Sequence, residues 1–217
     1  MARGTDFGGV HSLRDLNLIQ QKVVEAPAEP KTNFVNVPGT DGSKDLSTQP
    51  AGRVVYKDRK ITWTFALYPG DNWAEKKHQV SNALNGRRCR ITFDDDPDYY
   101  YNGRLTVKSY ALDRTLRQIT VEATCAPYML KQAETVINAS ISTTERSITV
   151  KNEFKPALPR ITVAADTIIG WNGDTFTLTA GEHVLLDIQF PAGTSTLTAK
   201  TVSGTGSISI AYQEGTL

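Results

Sequence analysis

The sequence has few of the residues from which most catalytic and metal sites are built. Only three histidines and two cysteines occur among its 217 residues. The histidines, His11, His78 and His183, are scattered and lack the HExxH spacing of a metal site, and no GxSxG turn or Walker A loop is present. The sequence therefore predicts a protein that is not an enzyme and that requires no cofactor and no metal.

The chain also lacks an excess of either charge and a long apolar run. Its 24 basic and 23 acidic residues nearly cancel, whereas domains that bind nucleic acid or anionic membranes usually carry a clear basic excess. No stretch approaches the ~18 apolar residues that cross a bilayer, and the amino terminus has no signal-peptide pattern. We expect a soluble protein, made in the cytoplasm, without membrane insertion.

The two cysteines, Cys89 and Cys125, each fall at an apolar position of an alternating segment. Unoxidised thiols are among the most buried side chains, which favours two small buried hydrophobic residues. A disulfide is the alternative, and a metal pair is disfavoured because no CxxC motif is present.

The composition changes near residue 130. Seven of the eight tyrosines and most of the charged residues precede this point, whereas threonine, serine, glycine and valine dominate after it. Pro127 discourages a strand from continuing through the boundary. We therefore predict an N-terminal domain over residues 1–130 and a C-terminal domain over residues 131–217.

The N-terminal part shows strand periodicity around one helix. Strict alternation places Ile61, Trp63 and Phe65 on one face of a strand, and other segments repeat the pattern. Asn72 followed by Glu75 gives a capping-box pattern that begins a helix over about 72–85. We expect this helix to pack across one face of a β-sandwich.

The segment from 26 to 52 has a different character. It contains four prolines and three glycines among polar residues, with only short apolar pairs. It is long for a connection inside a compact domain, and residues 40–43 read as a tight turn. The sequence therefore predicts an arm or hairpin, over about 26–56, that projects from the domain.

The C-terminal part alternates short strand patterns with turn residues and shows no helix. This spacing predicts a small antiparallel β-sandwich. A domain of ~80 residues buries only about 60–65% of its unfolded surface, so we expect support from the neighbouring domain or from other subunits. The predicted strands are 147–150, 160–163, 175–179, 184–188, 196–199 and 207–212.

Two charged clusters leave alternatives open. The acidic run from Asp94 to Asp98 is most simply a solvated turn between strands, with Pro97 marking the connection. Calcium binding and pairing with arginines of another subunit are the alternatives. The basic group Arg87, Arg88 and Arg90 favours a solvated strand face first and a partner contact second.

The run Tyr99, Tyr100 and Tyr101 is most simply a strand whose alternate rings face core and solvent. Burial in a protein interface, where tyrosine is enriched, is the second interpretation. Stacking on a sugar is the third.

A series of short motifs follows in a specific order along nearly the whole chain. The motifs begin at Gly9, include the arm and the capped helix, and end in a glycine-rich C-terminal pattern. They are Gly9-Val10-His11-Ser12, Pro30-Lys31-Thr32-Asn33, Val37-Pro38-Gly39, Asp41-Gly42, Asp45-Leu46, Tyr56, Asp58-Arg59, Leu84-Asn85-Gly86, the run from Phe93 to Arg104, Cys125-Ala126-Pro127-Tyr128, and Gly204-Thr205-Gly206-Ser207. In that order they resemble the distal tail protein (Dit) family of siphophage tail tips.

The resemblance implies a mainly β fold, with an N-terminal sandwich that carries the helix and arm and a small galectin-like C-terminal sandwich. It implies a structural protein of the virion tail tip that forms a hexameric ring. The ring would join the tail tube protein to the tail-associated hub (lysin) protein and would support receptor-binding proteins. DNA would pass through the channel without being a dedicated ligand.

The resemblance also implies that the arm clasps the adjacent subunit. Such a ring closes through a heterologous interface, in which two different surfaces of the chain meet. The residues that we predict to form the inter-subunit arm are Val35, Val37, Pro38, Gly39, Asp41, Gly42, Leu46, Tyr56 and Arg59.

Two other functions remain as alternatives. Trp171 and the tyrosine run favour a carbohydrate-binding module for host cell-wall glycans, because aromatic rings stack on sugars. A wall hydrolase would need a pair of separated carboxylates or a Cys/His pair in a cleft, and the sequence offers no evident pair.

Overall fold

The computed structural model describes residues 3–49, 51–68, 70–113 and 116–217. The chain divides into two compact units, of which the first ends at Met129 and the second begins at Leu130. The prediction of a mainly β fold is confirmed, and the described residues contain a single α-helix.

The first unit is built on one antiparallel sheet and one helix. Its elements, in chain order, are β1 (Thr5–Phe7), β2 (Leu18–Glu25), β3 (Phe34–Asn36), β4 (Ser43–Asp45), β5 (Arg59–Leu67), α1 (Trp73–Leu84), β6 (Arg88–Phe93), β7 (Asp96–Leu112) and β8 (Arg117–Cys125). Six of the strands lie side by side in the order β1-β6-β7-β8-β5-β2, and every neighbouring pair is antiparallel. The short strands β3 and β4 form a separate two-stranded ribbon.

One face of this sheet carries the core of the unit. The predicted alternation along β5 is confirmed, since Ile61, Trp63 and Phe65 are fully buried. The indole of Trp63 meets the ring of Phe7 edge-on at 5.1 Å and donates a hydrogen bond from Nε1 to Thr5 Oγ1 at 3.1 Å. A large aromatic side chain is thus buried with its single donor satisfied.

The predicted helix is confirmed as α1. The Asn72 side chain caps it by accepting hydrogen bonds from the backbone N–H groups of Ala74 and Glu75; such a cap is worth ~1 kcal/mol. Val80 and Leu84 are buried, and they attach the helix to the core. The helix ends at Leu84.

The second unit contains two four-stranded antiparallel sheets around one core. A short strand β9 (Met129–Lys131) spans the boundary, and the following strands are β10 (Thr135–Ser142), β11 (Arg146–Asn152), β12 (Arg160–Val163), β13 (Thr167–Trp171), β14 (Asp174–Leu178), β15 (Gly181–Val184), β16 (Gly193–Thr201), β17 (Thr205–Tyr212) and β18 (Gly215–Thr216). The sheet orders are β10-β17-β12-β15 and β11-β16-β13-β14. Buried side chains of both sheets belong to the same hydrophobic cluster, as in a sandwich.

Three sequence expectations differ from the structure in the second unit. Strands β10 and β13 lie outside the predicted strands, although alternate residues of each face the core. The strand expected over 184–188 instead ends at Val184. Ile188 is nevertheless fully buried, so its apolar character reflects a core contact made from a loop.

The acidic run is a turn only in its first part. Phe93 pairs with Asp96, so Asp94 and Asp95 alone form the turn and Asp96 already belongs to β7. The interpretation of Pro97 as a connection is therefore wrong. Proline is tolerated there because this part of β7 extends past the end of β8, where no ladder hydrogen bond to β8 is needed.

The tyrosine run also differs from its simplest interpretation, because Tyr100 and Tyr101 are both buried. Tyr101 points into the core and donates to Glu25 Oε2 at 3.1 Å, whereas Tyr100 is covered by the guanidinium of Arg90, 4.5 Å from its ring centre. Cys89 and Cys125 are free thiols. The prediction of burial is confirmed for Cys125, which is fully buried, whereas Cys89 is only half-buried.

Candidate interface: the arm and its root

The arm is the long segment that connects β2 to β5. At its root the outgoing and returning chains are paired, because Ala26 N donates to Lys60 O at 2.9 Å and Lys57 N donates to Glu29 O at 2.8 Å. One step further out, Lys31 N donates to Val55 O at 2.8 Å. These bonds continue the antiparallel β2–β5 pairing beyond the sheet, so the arm leaves the domain as a two-chain ribbon.

The outer part of the arm is the β3–β4 hairpin, in which Phe34 pairs with Asp45 and Asn36 pairs with Ser43. Every residue from 31 to 45 is exposed. The turn includes Gly42 at φ +73°, a left-handed conformation that a residue with a Cβ atom rarely adopts. The hairpin therefore has a defined backbone without a core beneath it.

Exposed apolar side chains lie along the arm, three on this hairpin and one, Val54, on the returning chain. Phe34 is 59% exposed, and Val35, Val37 and Val54 are also exposed. An isolated two-stranded hairpin is marginally stable in water, and a cluster of exposed apolar side chains is typical of an interaction surface. Both facts favour an arm that is completed by another surface.

Local polar contacts give the hairpin its shape. Ser43 Oγ donates to Asn36 Oδ1 at 2.6 Å, and Ser47 Oγ accepts from Asn33 N at 2.8 Å. The side chain and the backbone N–H of Ser47 both hydrogen-bond Asp45, which holds the pKa of this carboxyl below its usual range. Asp45 is therefore a carboxylate at neutral pH.

Arg59 anchors the root of the arm. It is only 8% exposed, and its Nε donates to Ala26 O at 3.0 Å while Nη1 reaches Pro127 O at 3.5 Å. Its guanidinium also lies 4.9 Å from the ring centre of Tyr101. Burial raises the pKa of Tyr101, so this hydroxyl stays protonated and remains a donor to Glu25.

The structure separates the nine predicted arm residues into two groups. Six are exposed and lie on the hairpin: Val35, Val37, Pro38, Gly39, Asp41 and Gly42. The other three are at least partly buried within their own unit: Leu46, Tyr56, whose ring meets Tyr128 edge-on at 6.0 Å, and Arg59. Sequence reasoning missed Phe34 and Val54, although both are apolar residues within the predicted arm.

A second polar cluster, also missed from the sequence, holds the amino-terminal segment. His11 is buried, and its Nδ1 accepts from the backbone N–H groups of Leu13 and Arg14, so Nε2 carries the proton and donates to Asp94 Oδ1 at 3.0 Å. Gly4 N donates to the same carboxylate at 2.8 Å. The hydrogen bond from His11 has the largest effect on the pKa of Asp94 and holds it below its usual range.

Replacing Asp94 by asparagine should therefore make stability less dependent on acid pH. A carboxyl whose pKa is lowered by folding stabilises the protein above its unfolded pKa, about 3.9, and loses this contribution as the pH falls through the folded value. We expect the difference in Tm between the wild type and Asp94→Asn to be constant from pH 7 to 5 and to shrink below pH 4.

Thermal unfolding between pH 7 and 2.5 measures this difference. Asp98→Asn, which changes an exposed carboxylate of the same run, is the matched control. A Tm difference for Asp94→Asn that persists unchanged at the lowest pH would contradict the assignment.

Neither a metal-ligand cluster nor a membrane-spanning helix is found among the described residues. Within 3–49, 51–68, 70–113 and 116–217, no three histidine, cysteine or acidic side chains come close enough to hold a metal ion. No helix in these ranges is long and apolar enough to cross a membrane.

Comparison with known proteins gives the family. Residues 8–126 match the family model described as phage tail protein RIFT-related domain, of siphophage tails. The fold of the whole chain is similar to the crystal structure of the SPP1 Dit protein, described as a paradigm of the hub adsorption apparatus in phages that infect Gram-positive bacteria, with a TM-score of 0.67, 15% identity and full coverage of both chains. No curated protein sequence matches. Because the family model covers more than half of its length, the chain belongs to this siphophage family of phage tail proteins.

Proposed function

We propose that this phage tail protein is a distal tail protein that forms a hexameric ring at the tail tip of the virion. The observation that carries the proposal is the arm, whose outer 15 residues, 31–45, are all exposed and include apolar side chains without a core. Such an element becomes stable when a second surface covers it, and a neighbouring subunit of a ring supplies that surface.

In this proposal the first unit forms the ring and the second unit is a galectin-like sandwich. The ring joins the tail tube protein to the tail-associated hub (lysin) protein, and receptor-binding proteins attach to the assembly. The SPP1 relative supports this arrangement through its fold and through the description of that protein as part of a hub adsorption apparatus. The role is structural, and DNA only passes through the channel.

The alternative of a carbohydrate-binding module loses most of the observations that motivated it. Trp171 is only 4% exposed, and its ring packs against Phe190 at 5.3 Å. Tyr100 and Tyr101 are buried as well. None of these three rings offers a face on which a sugar could stack.

Deletion of residues 35–52 should give a folded monomer that no longer assembles. The deletion removes the hairpin but leaves the Arg59 anchor and the core of the first unit, so folding is retained while the inter-subunit contact is lost. Sedimentation velocity and negative-stain electron microscopy, alone and with the tail tube and hub proteins, measure assembly, and near-ultraviolet circular dichroism checks the fold.

The matched control is Leu186→Ser, because Leu186 is the most exposed large apolar residue described, at 81%, and lies in the second unit. This variant should assemble like the wild type. Hexamers formed by the deletion variant, or a wild-type chain that stays monomeric with both partners present, would contradict the proposal.

A further inference from the structure

Three basic residues and one threonine form a row across the outer face of the first sheet, and the lysine of the row, Lys60, forms an ion pair with Glu122 at 3.5 Å. Lys60 pairs with Thr124, Thr124 with Arg104, and Arg104 with Arg88, so the four residues lie in register on β5, β8, β7 and β6. Their neighbours along the chain, such as Ile61, point into the core, and alternate residues of a strand face opposite sides. The row therefore lies on the face turned away from the core.

Two arginines of this row oppose each other directly. Arg88 and Arg104 form an antiparallel pair, and like charges in this position destabilise a sheet. Neither forms an ion pair within the described residues; Arg104 Nη1 donates to Gly86 O at 2.7 Å. Arg90, two residues along β6, adds a third guanidinium. Without an anion between them, the opposed guanidinium groups repel each other.

A cavity of about 350 Å³ lies between these side chains. Arg88, Arg104, Asn102 and Thr124 line it together with one carboxylate, Asp58. Guanidinium, amide and hydroxyl groups supply several hydrogen-bond donors, and the paired arginines outnumber the single acid. This combination suits a carboxylate, which arginine binds through two parallel hydrogen bonds.

The position of the cavity relates it to the arm. Strand β1 pairs with residues 91–93 of β6, so the part of β6 that contains Arg88 has no strand partner on that side. The turn at Gly8 lies beside Cys89 and accepts a hydrogen bond from Arg87 Nη2 at 2.6 Å. The arm leaves from the opposite edge, formed by β2 and β5. Arg59, at the root of the arm, lies one residue along the strands from the row of paired residues that contains Arg88 and Arg104. When two copies lie side by side with these opposite edges facing each other, the arm of one copy is therefore level with the arginines of the other along the strand direction.

The arm carries two exposed carboxylates on its hairpin, with one basic residue, Lys44, between them. Asp41 and Asp45 lie on the exposed hairpin, and Asp45 accepts a hydrogen bond from Ser47 N at 2.8 Å, which orients its carboxylate. From Ala26 to the turn at Thr40, an extended chain of 14 residues spans at most about 46 Å. In the edge-to-edge arrangement, three strand spacings separate β5 of one copy from β7 of the other. At 4.8 Å per spacing this distance is about 14 Å, well within the reach of the arm.

We propose that the cavity between Arg88 and Arg104 is the receiving site for the arm of a second copy, and that it binds the carboxylates of the β3–β4 hairpin. The inference rests on the proposed function and names the surface that the arm contacts. Binding removes the repulsion between the two arginines, and the edge of β6 becomes covered.

Charge reversal in both partners tests the proposal in the full-length chain. Arg88→Glu with Arg104→Glu should raise the concentration at which half of the chains are assembled by about tenfold or more, and Asp41→Lys with Asp45→Lys should do the same. The chain that carries all four changes should recover most of the loss. Arg146→Glu with Lys151→Glu, two exposed residues of the second unit, gives the same change in charge and should assemble like the wild type.

A photo-crosslinking amino acid at position 41 provides a second measurement. In a mixture of isotopically light and heavy chains, we expect interchain crosslinks to peptides that contain Arg88 or Arg104. Inorganic phosphate at constant ionic strength should compete with assembly, because it occupies the same donors.

The outcomes separate this inference from the proposed function. One outcome is that charge reversal of the two arginines has no effect on assembly while the deletion of residues 35–52 abolishes it. In that case the arm binds elsewhere and the inference is wrong. Arg88 would then serve only to protect a sheet edge. Failure of the four-residue variant to recover, or interchain crosslinks confined to other regions, also overturns it. Assembly that survives the deletion overturns the proposed function itself.

Discussion

Replacement of Arg59 by alanine should lower the free energy of unfolding of the first unit by about 3 kcal/mol. The side chain is almost completely buried, and its guanidinium satisfies the carbonyls of Ala26 and Pro127 while lying over the Tyr101 ring. Its removal leaves two carbonyl groups without this donor and opens a cavity beside an aromatic ring. We also expect the arm root to loosen, because Ala26 is its first residue.

Urea unfolding measures the loss of stability, and hydrogen exchange at the amides of Ala26, Lys31 and Lys57 measures the loosening of the root. Arg53→Ala is the matched control, since Arg53 is exposed on the same arm; its effect should stay within about 0.5 kcal/mol. Arg59→Lys should be intermediate, because an ammonium keeps the charge but cannot span both carbonyls. Equal stabilities of the alanine variants at positions 59 and 53 would refute the anchoring role.

Replacement of Gly103 by alanine should destabilise the first unit by about 2–3 kcal/mol, the upper range for overpacking a core. Gly103 lies between Cys89 and Cys125 on the three adjacent strands β6, β7 and β8. A Cβ atom at this position would lie 2.5 Å from Cys125 Sγ and 3.2 Å from the backbone oxygen of Thr124. The first contact is far too short, and it involves a short, buried side chain that has little room to move.

A double-mutant cycle identifies the cause. Cys125→Ala removes the sulfur atom, so the added methyl group at position 103 should cost clearly less in the Cys125→Ala background than in the wild type. Recovery should be partial, because the Thr124 oxygen remains close. If the two changes are strictly additive in urea unfolding, the clash with the sulfur atom is not the cause.

Local patterns predicted the elements whose determinants are close in sequence. The helix α1 follows from the Asn72 cap and the spacing of Val80 and Leu84, and β5 follows from strict alternation. The arm followed from prolines and glycines that disfavour a packed core. Strand β13 is not evident from the sequence although its buried residues alternate, because Ile168 beside Ile169 weakens the contrast between its two faces.

The parts of the candidate interface that sequence could not give depend on distant contacts. Arg59 reads as a surface residue, and only the fold places it beneath the arm next to Tyr101. His11 meets Asp94 across 83 residues of sequence. The opposition of Arg88 and Arg104 depends on the strand register, which no single segment determines.

The separation of the hydrophobic side chains into two clusters has a consequence for how such a protein can diversify. Within the described residues, no buried apolar side chain belongs to both clusters, so each half of the chain is internally complete in its packing. Genetic exchange with a crossover close to Leu130 would join intact halves rather than mismatched cores. In this way, related phages can exchange the C-terminal half while they keep the half that carries the arm.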